Sequence, residues 1–109
     1  MNRWGMARAA ACLAAAALAA SSASADVDAR KAQELERLVV QDCGSCHGLT
    51  LKGGLGRPIT PELMQHFDRE DLRDIILDGI PGTAMPPWRP LMTETEALWI
   101  ADYLRGVPE

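Results

Sequence analysis

Polar and apolar positions divide the chain into one unbroken apolar run, Ala9 to Ala20, and four segments whose apolar residues recur at helical spacing. The first opens at Asp26 or Asp28, either of which can cap a helix, and its stripe of Ala32, Leu35, Leu38 and Val39 predicts a helix to about Gln41. Thr60 followed by Pro61 places an N-cap before a proline at the first helical position, opening a short helix to about His66. Asp68, with Asp71 three residues on, starts another through Leu72, Ile75 and Ile76, stopped by Gly79. Thr93 and Glu96 form a capping-box pair before Ala97, Ile100, Ala101 and Leu104, a helix that ends near Gly106.

The segments between the helices are equally informative. Gly48 to Pro58 holds four glycines and a proline, too many for a regular element, so it predicts a loop. Ile80 to Trp88 holds three prolines and a glycine and predicts a stiff extended loop, with Met85 in its middle. Such a loop can hold a thioether in one place.

Met1 to Ala25 has the layout of a secretory signal. Arg3 and Arg8 precede the apolar run, and Ala23-Ser24-Ala25 supplies an A-x-A cleavage site. The twelve-residue run is too short to favour a permanent span, which takes about 20 residues. Cys12 lies inside the run and is expected to leave with the signal. Cleavage before Asp26 leaves one domain, 26–109, of 84 residues, exported to the periplasm with no stable membrane insertion. Its nine basic and fifteen acidic residues give a net charge of −6, against nucleic acid and in favour of partners with a basic docking face. A domain this small often needs a staple.

The staple is legible in Cys43-Gly44-Ser45-Cys46-His47, a C-x-x-C-H motif, which reads as a site for one covalent haem c. Two thiols three residues apart lie on one side of a helical turn and can add to the two vinyl groups of a haem. His47 then offers its imidazole to the iron, with the other ring nitrogen free for a hydrogen bond that fixes the ring. A thioredoxin-like pair expects a βαβ setting, and no strand pattern is present. A structural zinc needs four ligands; only Cys43, Cys46, His47 and His66 are available after signal removal, without the repeated paired spacing.

With helix, C-x-x-C-H, glycine loop with proline, short helices, methionine loop and terminal helix in this order, Asp26–Glu109 resembles a class I c-type cytochrome. The wording QDCGSCHG, LKGGLG and IPGTAMPPW is most similar to the small cytochrome c55X proteins encoded beside the haem cd1 nitrite reductase of denitrifying bacteria. The resemblance implies an all-α cytochrome c fold of about four short helices around one covalently bound haem, with iron held by His47 and Met85. It implies that Tyr103 sits on a terminal helix crossing the first near Leu35 and Val39. It also implies a proline carbonyl on the free nitrogen of His47, a role carried to Pro58, while Arg57 is placed to pair with a haem propionate.

Three methionines follow the signal. Met64 and Met92 sit where packing residues belong, which leaves Met85 as the sixth ligand, with His66 as its alternative. Trp88 either donates its indole N–H to a propionate or covers the haem, and Trp99 reads as packing. Asp71, Asp74 and Asp78 form an acidic stripe that reads as a solvated helix face rather than a docking site.

An iron held by His and Met has no open position for substrate, so the expected function is single-electron transfer, not enzymatic catalysis. The contact surface is expected near Cys46, Leu51 and the Met85–Trp88 loop. By resemblance the partner is nitrite reductase. The alternatives are an accessory role in maturation or haem d1 delivery to that reductase, and a ligand-binding or peroxidatic haem protein formed by loss of Met85.

Overall fold

The computed structural model describes residues 27–107. The expected export signal and Cys12 therefore lie outside the described residues. Five α-helices form the fold: α1 (Ala29–Leu38), α2 (Gly44–His47), α3 (Pro61–Met64), α4 (Arg69–Asp78) and α5 (Glu94–Leu104). No strand occurs among the described residues, and no helix among them is long and apolar enough to cross a membrane.

Asp28 caps α1, its carboxylate accepting from the Lys31 N–H at 2.8 Å. The helix does not stop near Gln41. A π turn over Val39–Cys43 joins α1 directly to α2, so one helical run carries the chain into the C-x-x-C-H motif. The buried positions along this run are Leu35, Val39 and Gly44, a spacing of four and then five. A regular α-helix would turn the last of these away from the first two, whereas the wider turn keeps all three inward.

The capping box of α5 forms as its sequence predicts: Thr93 N–H donates to Glu96 Oε1 at 2.9 Å and Glu96 N–H to Thr93 Oγ1 at 3.1 Å. That helix buries Ala97, Ile100, Ala101 and Leu104, and α4 buries Leu72, Ile76 and Leu77. The largest fully covered side chains, Val39 of the π turn, Leu77 of α4 and Ile100 of α5, belong to one core, to which Leu35 of α1 also contributes. Arg69 spans the groove between α4 and α5 with two hydrogen bonds to Asp102, at 2.8 and 2.7 Å. Tyr103 Oη donates to Glu36 Oε1 at 3.4 Å, joining the terminal helix to the first, and its ring stacks on Trp99. A short 3₁₀ turn, Arg89–Leu91, precedes α5.

Candidate haem site

Cys43 and Cys46 are both free thiols on the helical run, the first half-buried and the second exposed. Burial, with a smaller push from the charge of Asp42, raises the Cys43 thiol to about 11. Ser45 Oγ donates to Asp42 O at 2.7 Å, bracing the turn between the two cysteines.

The glycine loop folds back over this turn. Gly56 N–H donates to Cys46 O and Gly53 N–H to His47 O, both at 2.7 Å, which satisfies carbonyls that the end of α2 leaves open. The approach is too close for side chains. A Cβ on Gly54 would lie 2.8 Å from Cys46 O, and one on Gly56 would lie 2.9 Å from His47 Nδ1. Further along, Ile59 N–H donates to Leu51 O at 2.9 Å, so the chain between Gly56 and Ile59 is pinned at both ends.

That pinning aims a carbonyl at the His47 ring. Nδ1 lies 2.6 Å from the carbonyl oxygen of Arg57, not of Pro58, which corrects the residue expected from the resemblance. The carbonyl that faces the ring is the one in the Arg57–Pro58 peptide bond. Pro58 acts on it from the far side: its ring rests on Gly53 and its presence restricts the backbone of Arg57 to extended conformations. With Nδ1 engaged by a carbonyl, which can only accept, Nε2 is the ring nitrogen left for a metal. Two thiols and one oriented imidazole nitrogen on a single helical run are the donor set a covalently attached haem requires, so these residues fit the group.

Met85 belongs to a second braced element, the loop that follows α4. Met64 and Met92 are buried in the core, whereas Met85 is half-buried outside it. Residues Ile80 to Thr83 make a turn, Thr83 N–H donating to Ile80 O at 3.1 Å, with Pro81 and a positive-φ Gly82 at its centre as a type II turn demands. Trp88 is half-buried against the core, and its backbone N–H donates to Ile76 O at 3.0 Å. His66 is exposed after α3. Leu51, expected at the contact surface, packs against the core instead, while Leu49 and Leu55 on the same loop are 72% and 96% exposed. Within the acidic stripe, Asp74 pairs with Arg73 and Asp78 with Arg89, both at 2.8 Å, which neutralises two of its three charges. Arg57 is exposed, and the ion pairs among the described residues all lie elsewhere.

Known proteins are similar to this chain. The model of the family described as cytochrome c oxidase, cbb3-type, subunit III matches residues 30–104. Cytochrome c55X of Paracoccus denitrificans is 66% identical over 77 residues, covering 71% of this chain and 75% of that protein. Cytochrome c55X of Stutzerimonas stutzeri is 40% identical over 108 residues, covering 98% and 96%. The chain belongs to the cytochrome c55X family. A solved structure of a c-type cytochrome NirC matches with a TM-score of 0.70 at 48% identity, covering 72% of this chain and 93% of that one. The structure of dihydro-heme d1 dehydrogenase NirN in complex with DHE matches with a TM-score of 0.61 at 32% identity, covering 67% of this chain but only 16% of that one. As a c55X cytochrome, the protein is a small periplasmic monohaem cytochrome c with an all-α fold and one covalent haem c. It serves electron transfer in denitrification, and its family is one of electron-transfer cytochromes rather than a catalytic family.

Proposed function

We propose that this cytochrome delivers single electrons to the haem cd1 nitrite reductase, with the haem attached through Cys43 and Cys46 and its iron held between His47 and Met85. Bound haem supplies an iron that alternates between ferrous and ferric. The protein's part is to keep the surroundings of that iron the same in both states, because movement on electron transfer slows it. The observation that carries this reading is the 2.6 Å contact of His47 Nδ1 with the Arg57 carbonyl, which fixes the ring and commits Nε2 to the metal. Pro58 holds that carbonyl in place, the Arg57 guanidinium meets a haem propionate, and Trp88 lies at the haem as donor or cover. Met1–Ala25 is the export signal, and the haem domain is 26–109.

Partner contact is proposed at the loop beside the motif. Gly54 and Gly56 approach the Cys46 carbonyl, so Leu55 lies on the loop segment that crosses the motif, and Leu55 and Leu49 of this loop are both exposed. The net charge of −6 after signal removal steers a partner with a basic face over long range. Anaerobic stopped-flow mixing of the reduced cytochrome with purified nitrite reductase tests this. Rapid second-order oxidation, slowing as salt rises, is expected. Oxidation slower than nitrite turnover would reject the partner.

A second reading has its own support. The same module forms part of a dihydro-heme d1 dehydrogenase, so a role as electron acceptor or accessory in haem d1 maturation is chemically parallel. In that case the oxidised cytochrome is reduced by the dehydrogenase with its substrate, and nitrite reductase leaves the reduced form unchanged.

A further inference from the structure

The loop that carries Met85 is tied to the end of α4 far more tightly than its composition requires. Gly79, which ends α4, has φ 66° and ψ −170°, a conformation that only glycine adopts without strain. A Cβ there would lie 2.6 Å from Met85 O, 2.8 Å from Pro86 C and 2.9 Å from Pro87 N. The Met85–Pro87 backbone therefore rests directly on the α-carbon of Gly79. Both polar backbone groups of Met85 are engaged. Its carbonyl accepts from Ile80 N–H at 3.3 Å, and its N–H donates to Thr83 Oγ1 at 3.3 Å. Thr83 Oγ1 in turn donates to Ile80 O at 2.7 Å.

The far end of the loop is closed as well. Trp88 N–H reaches Ile76 O, and Arg89 makes two parallel hydrogen bonds to Asp78, from Nε at 2.8 Å and from the terminal nitrogen at 3.0 Å. Asp78 is the last residue of α4 and Arg89 the first after the loop, so this pair joins the two ends of the segment from Gly79 to Trp88. The two-point geometry fixes orientation as well as distance.

We infer that Gly79 and the Asp78–Arg89 pair are positioning residues for the sixth iron ligand: they keep Met85 presented to the metal and so set how readily an outside ligand replaces it. The inference rests on Met85 being that ligand. An outside ligand binds only to the fraction of molecules in which the sulfur has left, so its apparent affinity rises in proportion to that fraction. A loop seated on Gly79 and closed by Asp78–Arg89 has few alternative conformations, and a thioether that leaves the iron is returned at once. Loosening either tie enlarges the open fraction without touching the ligand itself.

The test is imidazole titration of the oxidised holoprotein, with haem attachment and helical circular dichroism confirming a folded chain. Gly79→Ala is expected to raise imidazole affinity at least about tenfold, since the Met85 backbone must move away from the new Cβ. Arg89→Gln removes the exposed ion pairs of Arg89 with Asp78 and Glu94 and is expected to raise the affinity about two- to fivefold, with Arg89→Lys in between. Arg69→Gln, which breaks the Asp102 pair elsewhere on α4, is expected to lower thermal stability and leave the affinity unchanged. If Met85→Ala raises the affinity while Gly79→Ala and Arg89→Gln match the wild type, the positioning inference falls and the ligand stands. If Met85→Ala itself leaves the affinity unchanged, the ligand assignment falls and the inference with it.

Discussion

Gly56→Ala should move the redox potential without detaching the haem. The added Cβ would lie 2.9 Å from His47 Nδ1 and 3.0 Å from Cε1, inside ordinary van der Waals contact. Restoring contact takes a shift of roughly 0.5 Å between ring and loop, set by carbon-to-atom optima near 3.5 Å. The 2.6 Å contact with Arg57 O is part of that loop and lengthens or breaks with it. An imidazole bound to ferric iron is the stronger Nδ1 donor, so this hydrogen bond favours the ferric state and its loss should raise the potential. A neutral hydrogen bond contributes about 0.5–1.5 kcal/mol. Only the part of this that differs between ferric and ferrous moves the potential, so at 59 mV per tenfold for one electron the upward shift is at most roughly 20–65 mV. Spectroelectrochemical titration of the variant beside the wild type measures it. An unchanged or lower potential in a folded variant with its haem attached would refute the argument that the Arg57 carbonyl tunes His47.

Met64→Ala and Met92→Ala should each cost about 2–5 kcal/mol, because both side chains are buried in the core, and lower the melting temperature by about 4–8 °C per kcal/mol. Neither should disturb the sulfur-to-iron charge-transfer band of the oxidised protein, which Met85→Ala should abolish; a band that survives Met85→Ala means another ligand. The hydrogen bonds from Arg89 hold the Asp78 carboxyl below the ordinary carboxylate range. Since the folded value is the lower one, the pair stabilises the fold above that range and its contribution is lost as pH falls through the Asp78 titration. The melting-temperature difference between wild type and Arg89→Gln should therefore be steady near neutral pH and vanish in acid; a difference that persists in acid would show that the guanidinium acts by packing alone.

The elements most legible in the sequence were those whose signals are local. Thr93 and Glu96 specify the start of α5 by a pair of reciprocal hydrogen bonds, and the three prolines from Pro81 to Pro87 forbid a helix around Met85. The π turn was hidden because Val39 to Cys43 carries no residue that demands it. It arises from tertiary packing, which requires Gly44 to face the same core as Leu35 and Val39. The carbonyl that meets His47 belongs to Arg57 and not to Pro58 for a related reason: proline marks the turn, but which neighbouring carbonyl faces the ring depends on the Gly56–Cys46 and Ile59–Leu51 bonds that clamp the chain on either side. Gly79 was legible as a helix stop. Its second role, giving the Met85 backbone a place to rest, depends on a contact six residues away that no local rule contains.

An iron that passes electrons without binding substrate must be closed by ligands on both sides. Adding carbon monoxide to the reduced wild-type protein tests that most directly, since the gas binds ferrous haem only through an open position. The absorption spectrum should remain that of the reduced six-coordinate haem at saturating gas. Prompt, stoichiometric formation of a carbon monoxide complex would contradict the account and make the protein a ligand-binding haem.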